Sequence, residues 1–221
     1  MGKLIIFEGL DGSGKGTQAA LTAQKLRQRG VTLRQVTFPD YDSESSALVK
    51  MYLSGRFGQK PDDVNAYAAS SFYAVDRFAS YKTDWGAFYR EGGLVLSDRY
   101  TTSNAVHQCS KLPPAQWDGF LNWLFDFEYK KIGIPEPDLV LYLDMPTYRT
   151  VALLRRRESD THTQADIHEV DSSYLAACRD SALQAAQLLG WKVISCVDPS
   201  GQLRSIQDIH EEVWALAAPL L

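Results

Sequence analysis

Cysteine is scarce. Cys109, Cys178 and Cys196 are an odd number, set far apart, with no CxxC pair and no Cys/His ligand spacing. That pattern excludes a disulfide framework and a structural zinc site, and it predicts free thiols in a reducing compartment. Long apolar runs are missing as well. The first, Leu4 to Phe7, is too short for a membrane span or a signal-peptide core. Ile6 stands where a myristoylation motif beginning at Gly2 prefers Ser or Thr. The expectation is a cytoplasmic protein with no membrane partner. Basic residues are not in excess either: 23 Lys and Arg against 27 Asp and Glu leave a net charge of −4. A polymeric nucleic acid is therefore not the expected partner, while a small anion can still be met by a locally positive pocket. No repeat and no low-complexity segment interrupts the chain.

What is present suits a packed domain. Of 221 residues, 45% are apolar and 23% charged, enough for the core of one α/β domain covering 1–221. Short apolar runs at 4–7, 31–38, 94–97, 139–143 and 192–197 read as strands. Helical stretches separate them: 15–29, stopped by Gly30; 45–53; one opened by Pro61-Asp62-Asp63 and running through Arg77; an aromatic one after Pro113-Pro114; 151–157; about 172–189; and a last one closing the chain. In the aromatic helix, Trp117, Phe120, Leu121, Leu124 and Phe125 recur at threes and fours, an apolar stripe read as packing. Alternating strands and helices predict an α/β fold with a five-stranded parallel sheet covered by helices on both faces. Ligands in such sheets bind beyond the carboxyl ends of the strands.

The residues at those ends carry the chemistry. After the first strand comes Gly9-Leu10-Asp11-Gly12-Ser13-Gly14-Lys15-Gly16-Thr17, a GxxxxGK phosphate loop between strand and helix. Its glycines let backbone N–H groups converge on an anion, the helix N-terminus adds positive potential, and Lys15 brings a point charge to the β- and γ-phosphates of ATP. Gly16 occupies the position of the usual Ser/Thr ligand of Mg²⁺, so no direct protein ligand is expected, and Asp98 and Thr17 are the expected contacts to the metal, through water. The third strand ends in Asp98-Arg99-Tyr100, a carboxylate suited to a metal's water shell and a guanidinium suited to a phosphate.

Together these features resemble the thymidylate kinase family, a group of P-loop nucleoside monophosphate kinases. The resemblance rests on Phe7-Glu8-Gly9-Leu10-Asp11 through Gln18, on Phe38-Pro39, and on Asp98-Arg99-Tyr100 with Ser103 and Gln108 at the family's later spacing. It implies ATP as donor with Mg²⁺, thymidine monophosphate as acceptor, and a homodimer. It implies that Asp11 binds the sugar 3′-hydroxyl, that Arg99, Ser103 and Gln108 contact the acceptor, and that an aromatic ring stacks on the base four residues before an arginine that reads its edge. Arg77 lies four after Tyr73 and five after Phe72; residues four apart share a helix face, so Tyr73 is the expected ring and Phe72 the alternative. Two departures stand out. No arginine follows Phe38-Pro39, where the family places its phosphate clamp; the run is Asp40-Tyr41-Asp42-Ser43, which leaves Arg99 with Arg77, or the hydroxyls of Tyr41 and Ser43, as substitutes. The phosphate loop also lacks an arginine, which in the family goes with catalytic arginines in a mobile lid, here about 155–170 and headed by Arg155, Arg156 and Arg157, with Arg156 the expected catalytic one.

The implied reaction is transfer of the ATP γ-phosphoryl group to thymidine monophosphate, carried by Lys15, Asp98, Arg99 and Arg156. Two other readings are open on sequence alone: a deoxynucleoside kinase with Asp40 as base, and a non-catalytic P-loop switch.

Overall fold

A computed structural model describes residues 1–150 and 172–221 of the chain, and among these the strands form one parallel sheet in the order β2-β3-β1-β4-β5. The strands are β1 (Lys3–Glu8), β2 (Leu33–Thr37), β3 (Leu94–Asp98), β4 (Leu139–Asp144) and β5 (Lys192–Ser195). β1 sits at the centre because it is apolar on both faces: Ile5 and Phe7 point into one core with Leu96, Leu141 and Ile194, and Leu4 and Ile6 into another with Val95, Val140 and Trp85. That alternation is the two-residue period of a strand covered on both sides.

The first core is closed by α1 (Lys15–Gln28) and by the C-terminal helix α8 (Ile206–Ala217). α1 turns Ala19, Ala23 and Leu26 inward at helical spacing, and the two alanines let it lie close against the sheet. The opposite side holds α3 (Ala66–Ser80), the short α4 (Gly86–Arg90), α5 (Thr101–Cys109), α6 (Trp117–Phe125) and α7 (Ser172–Leu189). The stripe read in the sequence of α6 is packing: Trp117, Phe120, Leu121 and Leu124 are buried against Ala66, Ala105 and Ala185.

Register brings the functional ends together. Phe7 and Thr37 both pair with Asp98, Glu8 pairs with Tyr142, and Asp144 with Ser195, so the polar ends of five strands open on one edge of the sheet. Lys50 and Leu53 of the short α2 (Ala47–Leu53) face the same opening as Asp98 at that edge.

Several boundaries differ from the sequence reading. Pro61–Asp63 makes only a 3-10 turn, because Asp63 Oδ2 folds back to accept from Lys60 N (3.0 Å) and Val64 is extended; the helix starts at Ala66, capped by Asn65, whose Oδ1 accepts from Ala68 N at 2.9 Å. β2 begins at Leu33, not Val31, since Val31 N still donates to Leu26 O at the end of α1. β5 stops at Ser195, whose hydroxyl takes the Val197 N–H, and Val197 pairs antiparallel with Leu203. Two π-helical turns, Tyr81–Trp85 and Asp126–Ile132, extend α3 and α6 where 3.6-residue periodicity gives no sign of them. The helix expected at 151–157 and the lid at about 155–170 lie outside the described residues, Arg156 with them.

Candidate active site

The phosphate loop leaves β1 through two departures from ordinary backbone. Gly9 has φ 154°, and a Cβ there would lie 2.5 Å from Ser13 Oγ and 2.9 Å from Leu143 O, so only glycine fits. Gly14, at φ 87°, caps α1. The loop then delivers Lys15, buried in the first turn of α1, with its ammonium directed back: Nζ donates to Asp11 Oδ1 at 3.2 Å. Arg99 Nη2 donates to the same oxygen at 2.7 Å. Burial alone would raise the Asp11 pKa, but the charges of Arg99, Lys15 and His107 outweigh it and hold the carboxyl well below its usual range. Arg99 is likewise held firmly charged: burial works against it, and Asp11, Glu8 and Asp98 more than compensate. Both bonds use Asp11 Oδ1, so among the described residues Oδ2 makes no hydrogen bond.

Arg99 reaches this place because its backbone does something rare for a side-chain-bearing residue. Its φ is 66°, in the left-handed region, and the strain is held by Arg99 N donating to Phe7 O (3.0 Å) and by Ser97 Oγ donating to Arg99 O (2.5 Å). The guanidinium also lies 3.4 Å from Ser103 Oγ and 3.4 Å from His107 Nε2. Beneath it sits Glu8, fully buried. Glu8 accepts from Gly9 N at 3.0 Å, from Thr102 Oγ1 at 2.7 Å and from Ser103 Oγ at 2.8 Å, and its Oε1 is 3.6 Å from Arg99 Nη1. One carboxylate thus ties the phosphate loop to the start of α5. The sequence reading gave Glu8 no role, although a charge closing an otherwise apolar strand was the available signal.

A cavity of about 840 Å³ opens above this cluster. It brings together Asp11, Lys15, Tyr73, Arg77, Asp98, Arg99, Ser103 and Gln108 of the sequence-predicted residues. Phe72 is not among its walls; it packs toward Tyr52 and Phe57, ring centroids 6.4 and 5.6 Å away. Tyr73 and Arg77 both face the cavity, as their shared helix face requires. Arg77, however, is not a loose cation. Its Nε and Nη2 donate to Glu128 at 2.7 and 2.5 Å and its Nη1 to Tyr100 O at 3.3 Å, all of it buried. Its charge is met by Glu128, which weighs against its standing in, with Arg99, for the missing phosphate clamp. Nothing in the sequence pointed to Glu128, 51 residues away.

Two polar groups in the cavity have no partner among the described residues. Gln108 is fully buried on α5, and neither its Oε1 nor its Nε2 makes a hydrogen bond. An unmet buried amide is costly, and a pyrimidine edge with a donor beside an acceptor would satisfy it. Asp98 Oδ1 is buried and unpartnered, and Asp98 Oδ2 lies 3.0 Å from where a Cβ would stand on Gly16. Glycine at that position therefore makes room for the Asp98 carboxylate beside the phosphate loop. An orphaned carboxylate oxygen there fits a divalent cation or its water shell, whereas Thr17 is exposed in the first turn of α1. Among the described residues no three His, Cys, Asp or Glu converge on a metal position.

Comparison with known proteins agrees with this geometry. Residues 7–209 match the family model for thymidylate kinase. The chain is similar to a probable thymidylate kinase of Methanothermobacter thermautotrophicus, 30% identical over 97% of this chain and 94% of that one. It is similar to the thymidylate kinase of Caenorhabditis elegans, 26% identical over 93% of this chain and 87% of that one. The solved thymidylate kinase of Candida albicans superposes with a TM-score of 0.69 at 19% identity, covering 99% of this chain and 92% of that one, a likeness of fold.

Proposed function

The chain belongs to the thymidylate kinase family, and from that premise we propose how its residues carry transfer of the ATP γ-phosphoryl group to thymidine monophosphate. The enzyme is an ATP:dTMP phosphotransferase, and its product is thymidine diphosphate. The observation that carries the residue assignment is the Lys15–Asp11–Arg99 cluster at the floor of a cavity whose wall holds the unsatisfied amide of Gln108.

The acceptor's phosphate has a second pKa of about 6, so it arrives as an anion and needs no general base. What the transfer needs is positive charge held in line between donor and acceptor. The loop from Gly9 to Thr17 cradles the donor phosphates with its N–H groups, and Lys15 bridges the β- and γ-phosphates. Arg99 sits between donor and acceptor, where charge builds in the transition state. Asp11 fixes both cations through Oδ1 and offers Oδ2 to the sugar 3′-hydroxyl. Tyr73 stacks on the base, Gln108 and the remaining Nη1 hydrogen of Arg77 read its edge, and Ser103 steadies Arg99. Kinases of this family use ATP with a divalent metal; Asp98 is the residue that would hold Mg²⁺, through water, and the ion would neutralise the phosphate oxygens. Arg156 is proposed as a further catalytic cation on sequence grounds alone.

A single domain spanning 1–221, a homodimer and a cytoplasmic location complete the reading. Among the described residues no helix is long and apolar enough to cross a membrane. The test is ADP formation from Mg-ATP with thymidine, thymidine monophosphate and the other nucleoside monophosphates. Strong stimulation by thymidine monophosphate and little by thymidine is expected. Stimulation by thymidine alone would overturn the residue roles and move Asp40, which also lines the cavity, to the position of a base.

A further inference from the structure

An acceptor monophosphate needs a cation of its own, and the segment after Phe38-Pro39 offers none; Asp40 and Asp42 instead place two carboxylates on the cavity wall. Left alone, that rim would repel a phosphate dianion. Among the described residues the cavity's lysines and arginines are Lys15, Lys50, Arg77 and Arg99, with His107 beside Arg99. Three are already paired: Lys15 and Arg99 share Asp11, and Arg77 is neutralised by Glu128. Lys50 makes no ion pair among the described residues. It rises from the last turn of α2, and its Nζ donates to Tyr41 O at 3.1 Å. The ammonium is therefore moored to the backbone of Tyr41, within the very run where an arginine would be expected. That bond uses one of three N–H donors, and a lysine stem is flexible enough to swing the others toward a phosphate oxygen.

We propose that Lys50 is the phosphate-binding, specificity-determining cation of the acceptor site, standing in from α2 for an arginine the Asp40–Ser43 segment lacks. It makes the site prefer a nucleoside monophosphate to the bare nucleoside. The inference rests on the acceptor reading above.

Calorimetric titration of thymidine monophosphate and of thymidine, into the wild type, Lys50→Met and Lys50→Arg, separates the two claims. Lys50 is exposed on α2, methionine matches lysine in helix propensity, and thymidine binding serves as the check on folding. The expected result is that Lys50→Met weakens monophosphate binding by about tenfold to a hundredfold, the loss of one hydrogen bond between charged groups. Thymidine binding should stay unchanged, and Lys50→Arg should recover most of the loss. Steady-state kinetics should show the same change in KM for the monophosphate, with a smaller one in kcat. Unchanged monophosphate affinity in Lys50→Met, or an equal loss for both ligands, overturns the role of Lys50 and leaves the acceptor reading standing. A wild type that binds thymidine monophosphate no better than thymidine overturns both.

Discussion

Gln108 carries a cost in the folded protein that, on the role proposed for it, a bound base would remove. A buried amide with no partner destabilises by about 1–3 kcal/mol, and Gln108 has neither end satisfied. Gln108→Leu should therefore leave the melting temperature equal or higher while raising KM for thymidine monophosphate about tenfold or more, the hydrogen bonds having been lost from the complex alone. A fall in melting temperature together with unchanged KM would show that the amide serves packing. Asp11 behaves in the opposite sense. Its folded pKa is depressed, so its stabilisation is fully present above the ordinary carboxylate range, about 3.9, and is lost as pH falls through the lower folded value. The stability gap between wild type and Asp11→Asn, measured by urea unfolding, should not narrow between pH 7 and pH 5 and should shrink at pH 3.5. A gap that stays constant down to pH 3.5, or widens as pH falls, would mean that Arg99 and Lys15 do not hold this carboxylate as charged as their 2.7 and 3.2 Å contacts imply.

Among the elements that line the cavity, α3 supplies Tyr73 and Arg77 and α5 supplies Ser103, Asn104, His107 and Gln108, and the two were unequally legible. α3 announced itself through the four-residue spacing of Tyr73 and Arg77. α5 did not: Thr101-Thr102-Ser103-Asn104-Ala105-Val106-His107-Gln108-Cys109 has β-branched and polar residues of modest helix propensity and no apolar stripe. It is helical because neighbours enclose it on all sides, and eight of its nine residues are buried. Its polar side chains are inside because they serve Glu8, Arg99 and the cavity. The pairing of Arg77 with Glu128 was invisible for a related reason. Glu128 lies in the π-helical turn after α6, which breaks the register that periodicity follows, and its partner is fixed only by tertiary packing. That pair holds α3 to α5 as well, since Asn104 Nδ2 donates to Glu128 Oε1 at 3.2 Å. Removing one member of a buried ion pair costs about 3–5 kcal/mol, so Glu128→Ala should lower the unfolding free energy by that amount in denaturant titration. The double variant Arg77→Met with Glu128→Leu should regain most of the stability and none of the acceptor affinity. A single variant that loses under about 1 kcal/mol would show the pair to be dispensable to the fold.

At the scale of the whole molecule, the alternation of five apolar runs with helices was enough to predict a parallel sheet with its site at the carboxyl edge. The order β2-β3-β1-β4-β5 was not, because it depends on which covered faces meet across long sequence separations. The same limit applies to assembly, where the structure adds an observation of its own. Tyr67, Val75 and Phe78 lie on one face of α3 and are 45%, 49% and 38% exposed, while the other side of the helix is spent on the cavity and the core. Tyr67 meets Trp123 edge-on at 4.7 Å, which joins α6 to the same apolar surface. A second copy bringing the same stripe across a two-fold axis would cover it, as a closed homodimer requires of its interface. Sedimentation equilibrium should accordingly find a dimer for the wild type and a monomer for the double variant Val75→Asp with Phe78→Asp. Because Tyr73 and Arg77 stand on the inner face of the same helix, the monomeric variant should also bind thymidine monophosphate more weakly, with the ATP site at the far end of the cluster spared. A variant that stays dimeric would place the interface elsewhere, and a wild type that sediments as a monomer would leave the α3 stripe without a partner of its own kind.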